Sequence, residues 1–415
     1  MKPARLLAAI SVAALFVSAC GGSSSQSSQS TDSIATEPGS AAVTETIAAP
    51  AAGDCQLADP LRIAFAADFN LGGISDKPAS AAAKFIIDSV NKAGGVGGKP
   101  VEYEVKQISA DPADYPAAQR AVQELIDNGA DVILGPPFSD YGNPVLEITK
   151  GDVPVLFVGS TEAVLPDPAR GAFLVSFNDK TQGSAAAEFA TTKGLKSAVT
   201  MSSNEIPYLN IPQAAFKEVF ERAGGKVNKD LSFKLGQTDF SSQVNEIKAM
   251  SPQPDAIYSS FFLPEAGVFL KQLREAGVKS TVISADGFDA SLIWTIGADA
   301  EGVYFTTHTF PSAENGVQKF LDDYAASGGE KIETVAFGAL GADATQIAIK
   351  AATDACTSDG KKLVEAISGL SGTFTTGEVS YAGTAGTPNR KVTILTVKDG
   401  KPALEAAFTP AVVAG

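Results

Sequence analysis

The sequence predicts an α/β protein built from two doubly wound lobes, each a parallel β-sheet with helices on both faces. From residue 61 onward, short apolar segments alternate with amphipathic helical patterns, which is typical of repeated βα units. The pattern restarts near Lys196, and the Gly-Gly pairs beginning at Gly94 and Gly224 end corresponding helical patterns in the two halves. A repeat of this size indicates two similar domains, unless the likeness is only that of any two βα chains.

The elements of the first half follow in a regular order. The near-continuous apolar run 61–67 predicts a strand buried on both sides, as parallel sheets require. The next predicted elements are helix 76–93, strand 101–108, helix 114–128, strand 131–135 and strand 153–158.

The second half repeats this order. The predicted elements are strand 196–201, helix 209–223, strand 227–233, helix 240–250 and strand 255–260. The Ala130-Asp131-Val132-Ile133 segment corresponds to Pro254-Asp255-Ala256-Ile257, and each opens a predicted strand.

The composition narrows the class of function. The 415 residues are 44% hydrophobic and 19% charged, so a large core can form. The 32 Lys and Arg against 47 Asp and Glu give a net charge of −15, which argues against a nucleic-acid partner because phosphate is repelled. One histidine, His308, and three cysteines leave no His-rich or four-cysteine metal site. The sequence therefore favours binding without a metal or cofactor over catalysis.

The first twenty residues predict a signal peptide. Lys2 and Arg5 precede a twelve-residue, largely apolar run, 6–17, which is too short to span a bilayer. The run ends in Val-Ser-Ala before Cys20, which resembles a bacterial lipoprotein signal with a lipidated cysteine; the alternative is an ordinary secretory signal. The Ser-, Thr- and Ala-rich segment 21–54 predicts a flexible tether to the membrane.

The other two cysteines predict a disulfide bond. An exported protein lies outside cytosolic thiol control, and Cys55 and Cys356 form an even pair. The bond would link the start of the folded chain to the end of a late helix. The alternative is two unpaired thiols.

The carboxyl ends of the predicted strands indicate where a ligand would bind. Ligands of open α/β sheets bind outside these ends, and in a two-lobed protein the ends face each other across a cleft. The segments found there are 67–69, 135–139, 159–162, 260–262 and 285–288, which mix small, hydroxyl, aromatic and acidic residues.

Several segments, taken in order, carry a family resemblance. They are 90–99 (VNKAGGVGGK), Gly135-Pro136, Thr238-Asp239-Phe240, 269–272 (FLKQ) and 300–304 (AEGVY). Over about 60–405 the chain resembles the type I periplasmic binding proteins of ABC importers, in their branched-chain amino-acid (Leu/Ile/Val-binding) class. The resemblance implies an extracytoplasmic receptor that binds a small molecule and works with an ABC permease. Such a receptor is not an enzyme and needs no cofactor. Its only contact with the membrane itself is expected to be its N-terminal lipid.

The resemblance also implies the division into lobes. Three crossovers are expected near 177, 307 and 373. The N-terminal lobe then comprises 55–177 plus 307–373, and the C-terminal lobe comprises 178–306 plus 374–415.

The family's ligand-binding positions can be carried over one by one. On the first wall, Ser139, Ser160, Thr161 and Glu162 match the positions that hold a ligand carboxylate. On the second wall, Tyr208 and Phe262 match two family aromatics, and Asp286 matches the acid that pairs with a ligand ammonium. Phe69, Phe138 and Phe288 are expected to line an apolar side-chain pocket, whereas His308 is expected to be structural.

Two departures from the family leave the ligand open. Glu162 replaces a threonine, and Phe262 lacks the hydroxyl of the usual tyrosine. Because an acid beside the carboxylate subsite repels an anion unless it points away or meets a cation, the ligand is either an apolar amino acid or an aromatic acid, amide or other small organic. Two rivals remain: a sensory receptor, and an exported hydrolase that would use a Ser-Lys or carboxylate pair.

Overall fold

The computed structural model describes residues 55–69, 75–108, 114–290, 293 and 296–415. The predicted signal peptide with Cys20 and the predicted tether lie outside the described residues. In the described part of the chain, the strands are β1 (Arg62–Ala67), β2 (Glu102–Gln107), β3 (Val132–Leu134), β4 (Val155–Phe157), β5 (Ala172–Leu174), β6 (Ser197–Ser202), β7 (Lys226–Ser232), β8 (Ala256–Ser259), β9 (Thr281–Ser284), β10 (Tyr304–Thr307), β11 (Ser371–Phe374), β12 (Gly377–Ser380), β13 (Val392–Lys398) and β14 (Lys401–Phe408). The helices are α1 (Lys77–Lys92), α2 (Tyr115–Asp127), α3 (Gly142–Thr149), α4 (Asp179–Thr192), α5 (Ile211–Arg222), α6 (Ser241–Ala249), α7 (Glu265–Glu275), α8 (Val317–Ala326), α9 (Val335–Ala355) and α10 (Gly360–Ser368).

The first lobe is built on a parallel sheet of five strands in the order β2-β1-β3-β4-β5. Alternate residues of β1 enter two separate cores. Ile63 and Phe65 pack with α1 and α9, whereas Ala64 and Ala66 pack with α2 and α3. Because successive strand residues point to opposite faces, this division places apolar contacts on both faces of the sheet. The doubly wound arrangement is confirmed for this lobe.

The second lobe is built on a seven-stranded sheet in the order β14-β13-β10-β9-β8-β6-β7. Met201 of β6 packs with α6 and α7, and Ala198 of the same strand packs with α4 and α5. Strands β6 to β10 are parallel, but β13 pairs antiparallel with both β10 and β14. The predicted α/β class is confirmed, and the antiparallel pair is an addition that the sequence analysis did not predict. It arises because Asp399 and Gly400, both with positive φ, turn the chain back as a hairpin.

The late segment 317–381 packs in the first lobe. Phe320, Leu340, Leu363 and Tyr381 belong to the same core cluster as Ile63. The Tyr381 hydroxyl also donates a hydrogen bond to the carbonyl of Leu174, at 2.7 Å. We therefore propose that the third crossover lies beyond Tyr381, later than the expected position near 373. The positions near 177 and 307 fall in the connection from β5 to α4 and at the end of β10.

The connections between the lobes meet at the buried guanidinium of Arg390. It donates hydrogen bonds to the carbonyl of Val175, which follows β5, and to that of His308, which follows β10 (3.3 Å). It also donates to the Thr376 hydroxyl at 2.8 Å and lies 4.0 Å from a carboxylate oxygen of Asp343. One side chain thus ties together three chain segments that pass between the lobes.

The predicted disulfide is present in the structure. Cys55 and Cys356 are bonded, with their Cα atoms 5.5 Å apart and 301 positions apart in sequence. The bond joins the residues before β1 to the end of α9. Among the described residues, no helix combines the length and apolar character needed to cross a bilayer.

Candidate functional site

A cavity lies where strand ends of the two sheets face each other. Including its open mouth, it encloses about 720 Å³. The first lobe contributes the segments after β3 and β4, and the second contributes the turn at 206–208 and the segments after β8 and β9. The lining residues are Asp76, Pro137, Phe138, Ser139, Asp140, Gly159, Ser160, Thr161, Glu162, Asp179, Ile206, Pro207, Tyr208, Phe262, Asp286, Gly287 and Phe337.

The first wall depends on a tight turn after β3. Gly135 has φ +79°, and a Cβ there would lie 2.4 Å from the Ala66 carbonyl oxygen, so only glycine fits. The turn leads Phe138 and Ser139 to the cavity. The buried Ser160 hydroxyl donates to the Pro136 carbonyl at 3.3 Å, which fastens the segment after β4 to the same turn.

The second wall is a stacked aromatic pair. The rings of Tyr208 and Phe262 are nearly parallel, with centroids 4.8 Å apart. A Cβ on Gly287 would lie 2.8 Å from the Tyr208 hydroxyl and 3.0 Å from the Phe262 ring. The Gly287 N–H donates to the Tyr208 hydroxyl at 2.7 Å, so glycine allows the backbone to hold the tyrosine in place.

Asp286 is the most strongly bonded acid of the cavity. Its two oxygens lie 2.9 Å from the Tyr208 hydroxyl and 3.0 Å from His308 Nε2. Burial by itself would raise the pKa of Asp286, but the interactions with His308, Gln182 and Tyr208 outweigh burial and hold the pKa below its usual value. Burial lowers the pKa of His308, which favours the neutral imidazole; in the tautomer with its proton on Nε2, that nitrogen donates to Asp286.

Asp179 begins α4 and is buried against the same network. Its carboxylate accepts a hydrogen bond from Gln182 Nε2 at 2.9 Å, and its N–H donates to the Thr161 carbonyl at 2.7 Å. Burial, with the negative charges of Asp286 and Glu162, raises the pKa of Asp179 to about 8. The raised pKa favours the protonated form of this carboxyl at neutral pH.

Three further acids, Asp76, Asp140 and Glu162, line the first-lobe wall. Partial burial, and then the charge of Asp140, raise the pKa of Glu162. Burial raises the pKa of Asp76 well above its usual value, while its carboxylate accepts the Asp68 N–H at 2.9 Å.

The structure brings together nearly all the residues that the sequence predicted for the site. Those lining the cavity are Phe138, Ser139, Ser160, Thr161, Glu162, Tyr208, Phe262 and Asp286. Their contact with a ligand remains a prediction. Phe69 is not among the lining residues; it packs partly buried against the first-lobe core. Phe288 is also elsewhere, buried beside Phe305 in the second-lobe core.

The sequence analysis missed six lining residues: Asp76, Asp140, Asp179, Ile206, Pro207 and Phe337. Asp140 and Pro207 are neighbours in sequence of the predicted site residues Ser139 and Tyr208, so the same family motifs could have indicated them. Asp179 follows Asn178, whose side chain caps α4. Polar residues are common at the start of a helix, so nothing in the sequence assigned Asp179 to the cavity. Phe337 reaches the cavity from α9, which is distant in sequence, and no local pattern marks it.

Two α/β lobes with a cavity at their facing strand ends define a bilobed solute-binding protein. A family model described as periplasmic binding protein matches residues 61–402, and the chain therefore belongs to that family. Proteins of this family are extracytoplasmic solute-binding receptors. The resemblance to the type I proteins of the branched-chain amino-acid class is confirmed.

Individual relatives agree with this placement. The Leu/Ile/Val-binding protein BraC3 of Rhizobium johnstonii is 25% identical over 59% of this chain, a segment that spans 66% of BraC3, just under two thirds. The leucine-binding protein LivK of Thermotoga maritima is 28% identical, with a TM-score of 0.73 over 84% of this chain and 99% of LivK. A solute-binding protein of R. palustris in complex with benzoate shares the fold. It is 22% identical, with a TM-score of 0.70 over 86% of this chain and 98% of that protein.

Proposed function

We propose that this protein is the solute-binding receptor of an ABC importer and captures an amino acid with an apolar side chain between its lobes. The observation that carries the proposal is the shared cavity, in which the ionised Asp286 lies beside the stacked rings of Tyr208 and Phe262. A buried carboxylate suits a ligand ammonium, and the rings suit an apolar side chain. The relatives named for leucine, isoleucine and valine binding support the same class of ligand.

Binding and release would follow from the two-lobed architecture. A ligand that touches both lobes stabilises the closed arrangement, because it adds contacts that the open one lacks. The closed shape would be the form that an ABC permease recognises, and the importer's ATPase would supply the energy. The receptor itself would perform no chemistry. Its place outside the cytoplasm, anchored through a lipid on Cys20, follows the predicted signal.

An aromatic acid, amide or other small organic is the second candidate ligand. Phe138, Tyr208, Phe262 and Phe337 all line the cavity, which is more aromatic surface than a small aliphatic side chain needs. The benzoate-bound neighbour shows that a protein of this fold takes an aromatic ligand.

Calorimetric titration tests the proposal. Leucine, isoleucine, valine and phenylalanine, with their amides and benzoate, are titrated into the purified protein. We expect saturable heat with at least one compound that carries an ammonium group. Heat with benzoate alone would favour the second candidate, and no heat with any compound would remove the amino-acid function.

A further inference from the structure

The described lining of the cavity contains acids but no cationic side chain, and raised pKa values favour the neutral forms of Asp76 and Asp179. Its lining includes five carboxyl groups, drawn from both lobes: Asp76, Asp140, Glu162, Asp179 and Asp286. Over the ranges that the structure describes, the lining contains no Lys, Arg or His. His308 lies behind Asp286 as a neutral donor, and Arg390 is occupied by the connections between the lobes. Nothing described in the wall neutralises a ligand anion.

The wall expected to hold a ligand carboxylate is itself acidic. Ser139 is followed by Asp140, and Thr161 by Glu162, whose pKa is raised by burial and by Asp140. The Ser160 hydroxyl already donates to the Pro136 carbonyl. A free carboxylate placed here would meet the acids Asp140 and Glu162.

The aromatic residues favour the opposite charge. Phe138, Phe262 and Phe337 line the same cavity as Tyr208, which stacks on Phe262. The face of an aromatic ring attracts a cation, and more strongly where water is displaced. Rings and carboxylates together suit an organic ammonium, whereas the rings offer little to a small hydrated metal ion.

We propose that the ligand is an organic cation, an amine or amide that carries an ammonium group and no free carboxylate. The proposal rests on the receptor function above, but it replaces the amino acid as ligand by a cation that lacks the carboxylate. Asp286 and Glu162 supply the negative charge from opposite lobes, and the aromatic rings enclose the apolar body.

A consequence is that binding releases a proton. Asp179 faces Glu162 of the first lobe and Asp286, Tyr208 and Tyr258 of the second, with Gln182 bonded to it. A bound cation stabilises the ionised form of Asp179, which favours loss of its proton. The affinity for an amine, whose ammonium stays protonated in this range, should therefore rise as the pH increases from 6 to 8. The released proton makes the measured heat of binding depend on the ionisation enthalpy of the buffer.

Two matched series of ligands test whether the cavity prefers a cation to a zwitterion or an anion. The first is leucine, leucinamide, 3-methylbutylamine and 4-methylpentanoate, which share one branched side chain. The second is phenylalanine, phenylalaninamide, phenethylamine and 3-phenylpropanoate. In calorimetry at pH 7 we expect the cationic members to bind at least tenfold more tightly than the corresponding amino acid, and the carboxylates not to bind.

Variants separate charge from shape. Glu162→Gln keeps the size of the side chain and should reduce the ratio of the affinity for the cation to the affinity for the amino acid. Glu275→Gln, at the exposed end of α7, is the matched control and should leave the preference unchanged. Circular dichroism melting checks that both variants fold.

The outcomes are distinct. If leucine or phenylalanine binds more tightly than its amine and amide, the cation proposal is overturned while the receptor function stands. If Glu162→Gln leaves the preference of a cation-selective protein unchanged, the role of Glu162 is overturned. If no member of either series binds, the amino-acid receptor function fails together with this proposal.

Discussion

His308 Nε2 lies 3.0 Å from Asp286 Oδ2, and the carbonyl of the same histidine accepts a hydrogen bond from Arg390. His308 therefore contacts both Asp286, which lines the cavity, and Arg390, which holds the connections between the lobes. Its ring also lies against Phe177, with centroids 4.4 Å apart, just before α4. His308 does not line the cavity, and the structural role expected for it from the sequence stays a prediction. A change in how Asp286 is bonded would act directly on a segment that joins the lobes.

Replacing Asp286 with asparagine should weaken ligand binding. The change keeps the shape of the side chain but removes the charge that pairs with a ligand ammonium. We expect a loss of a few kcal/mol, the scale of an ion pair that has lost one buried partner. Calorimetry with the tightest-binding amine or amino acid measures the loss. Asp322→Asn, on the exposed face of α8, is the control. An unchanged affinity in Asp286→Asn would exclude this role for Asp286.

Gly287→Ala should disturb the aromatic wall. The added Cβ would lie 2.8 Å from the Tyr208 hydroxyl, so Tyr208 and Phe262 must shift. We expect at least a tenfold loss of affinity. Gly369→Ala is the matched control, because a Cβ at this exposed position meets no atom within 4 Å. Equal affinities in the two variants would show that the position of the stacked pair does not control binding.

The stability of the unliganded protein should depend on Asp179. Its pKa is about 8 in the folded state, against an ordinary value of 3.8, so the folded protein binds more protons than the unfolded chain between these values. Stability therefore falls as the pH rises from 4 to 8, by up to about 1.4 kcal/mol per pH unit from this group alone. Urea unfolding at pH 5, 6, 7 and 8 measures the slope. Asp179→Asn should flatten the slope, and an identical slope in the variant would contradict the assignment.

Arg390→Met should destabilise the fold. The variant leaves Asp343 buried without its nearby cation and leaves the carbonyls of Val175 and His308 without their donor. We expect a loss of about 3 kcal/mol in the free energy of unfolding. Arg222→Met, which removes an exposed ion pair with Glu218, should lose less than about 1 kcal/mol. Similar losses in both variants would show that the buried arginine contributes no more than a surface pair.

Local patterns predicted the elements well because their causes are local. Apolar runs such as 61–67 and the Gly-Gly helix ends fix strands and helix ends through burial and positive φ, at Gly94 for example. The family motif predicted most of the cavity because its residues adjoin strand ends. The rest depends on contacts distant in sequence. Phe337 enters from α9, and Tyr381 stays in the first lobe through its bond to Leu174. The acidity of the cavity could not be predicted from the sequence, because its five acids lie in five separate segments that only the fold brings together.

One small ligand is expected to bind between the lobes and to contact both. A crystal structure of the protein with the tightest-binding compound of the two series would show where the ligand binds. We expect the ligand in the cavity, its ammonium near the carboxylates of Asp286 and Glu162 and its apolar part against Tyr208 and Phe262. A ligand bound at the surface of one lobe, with this cavity empty, would contradict the claim.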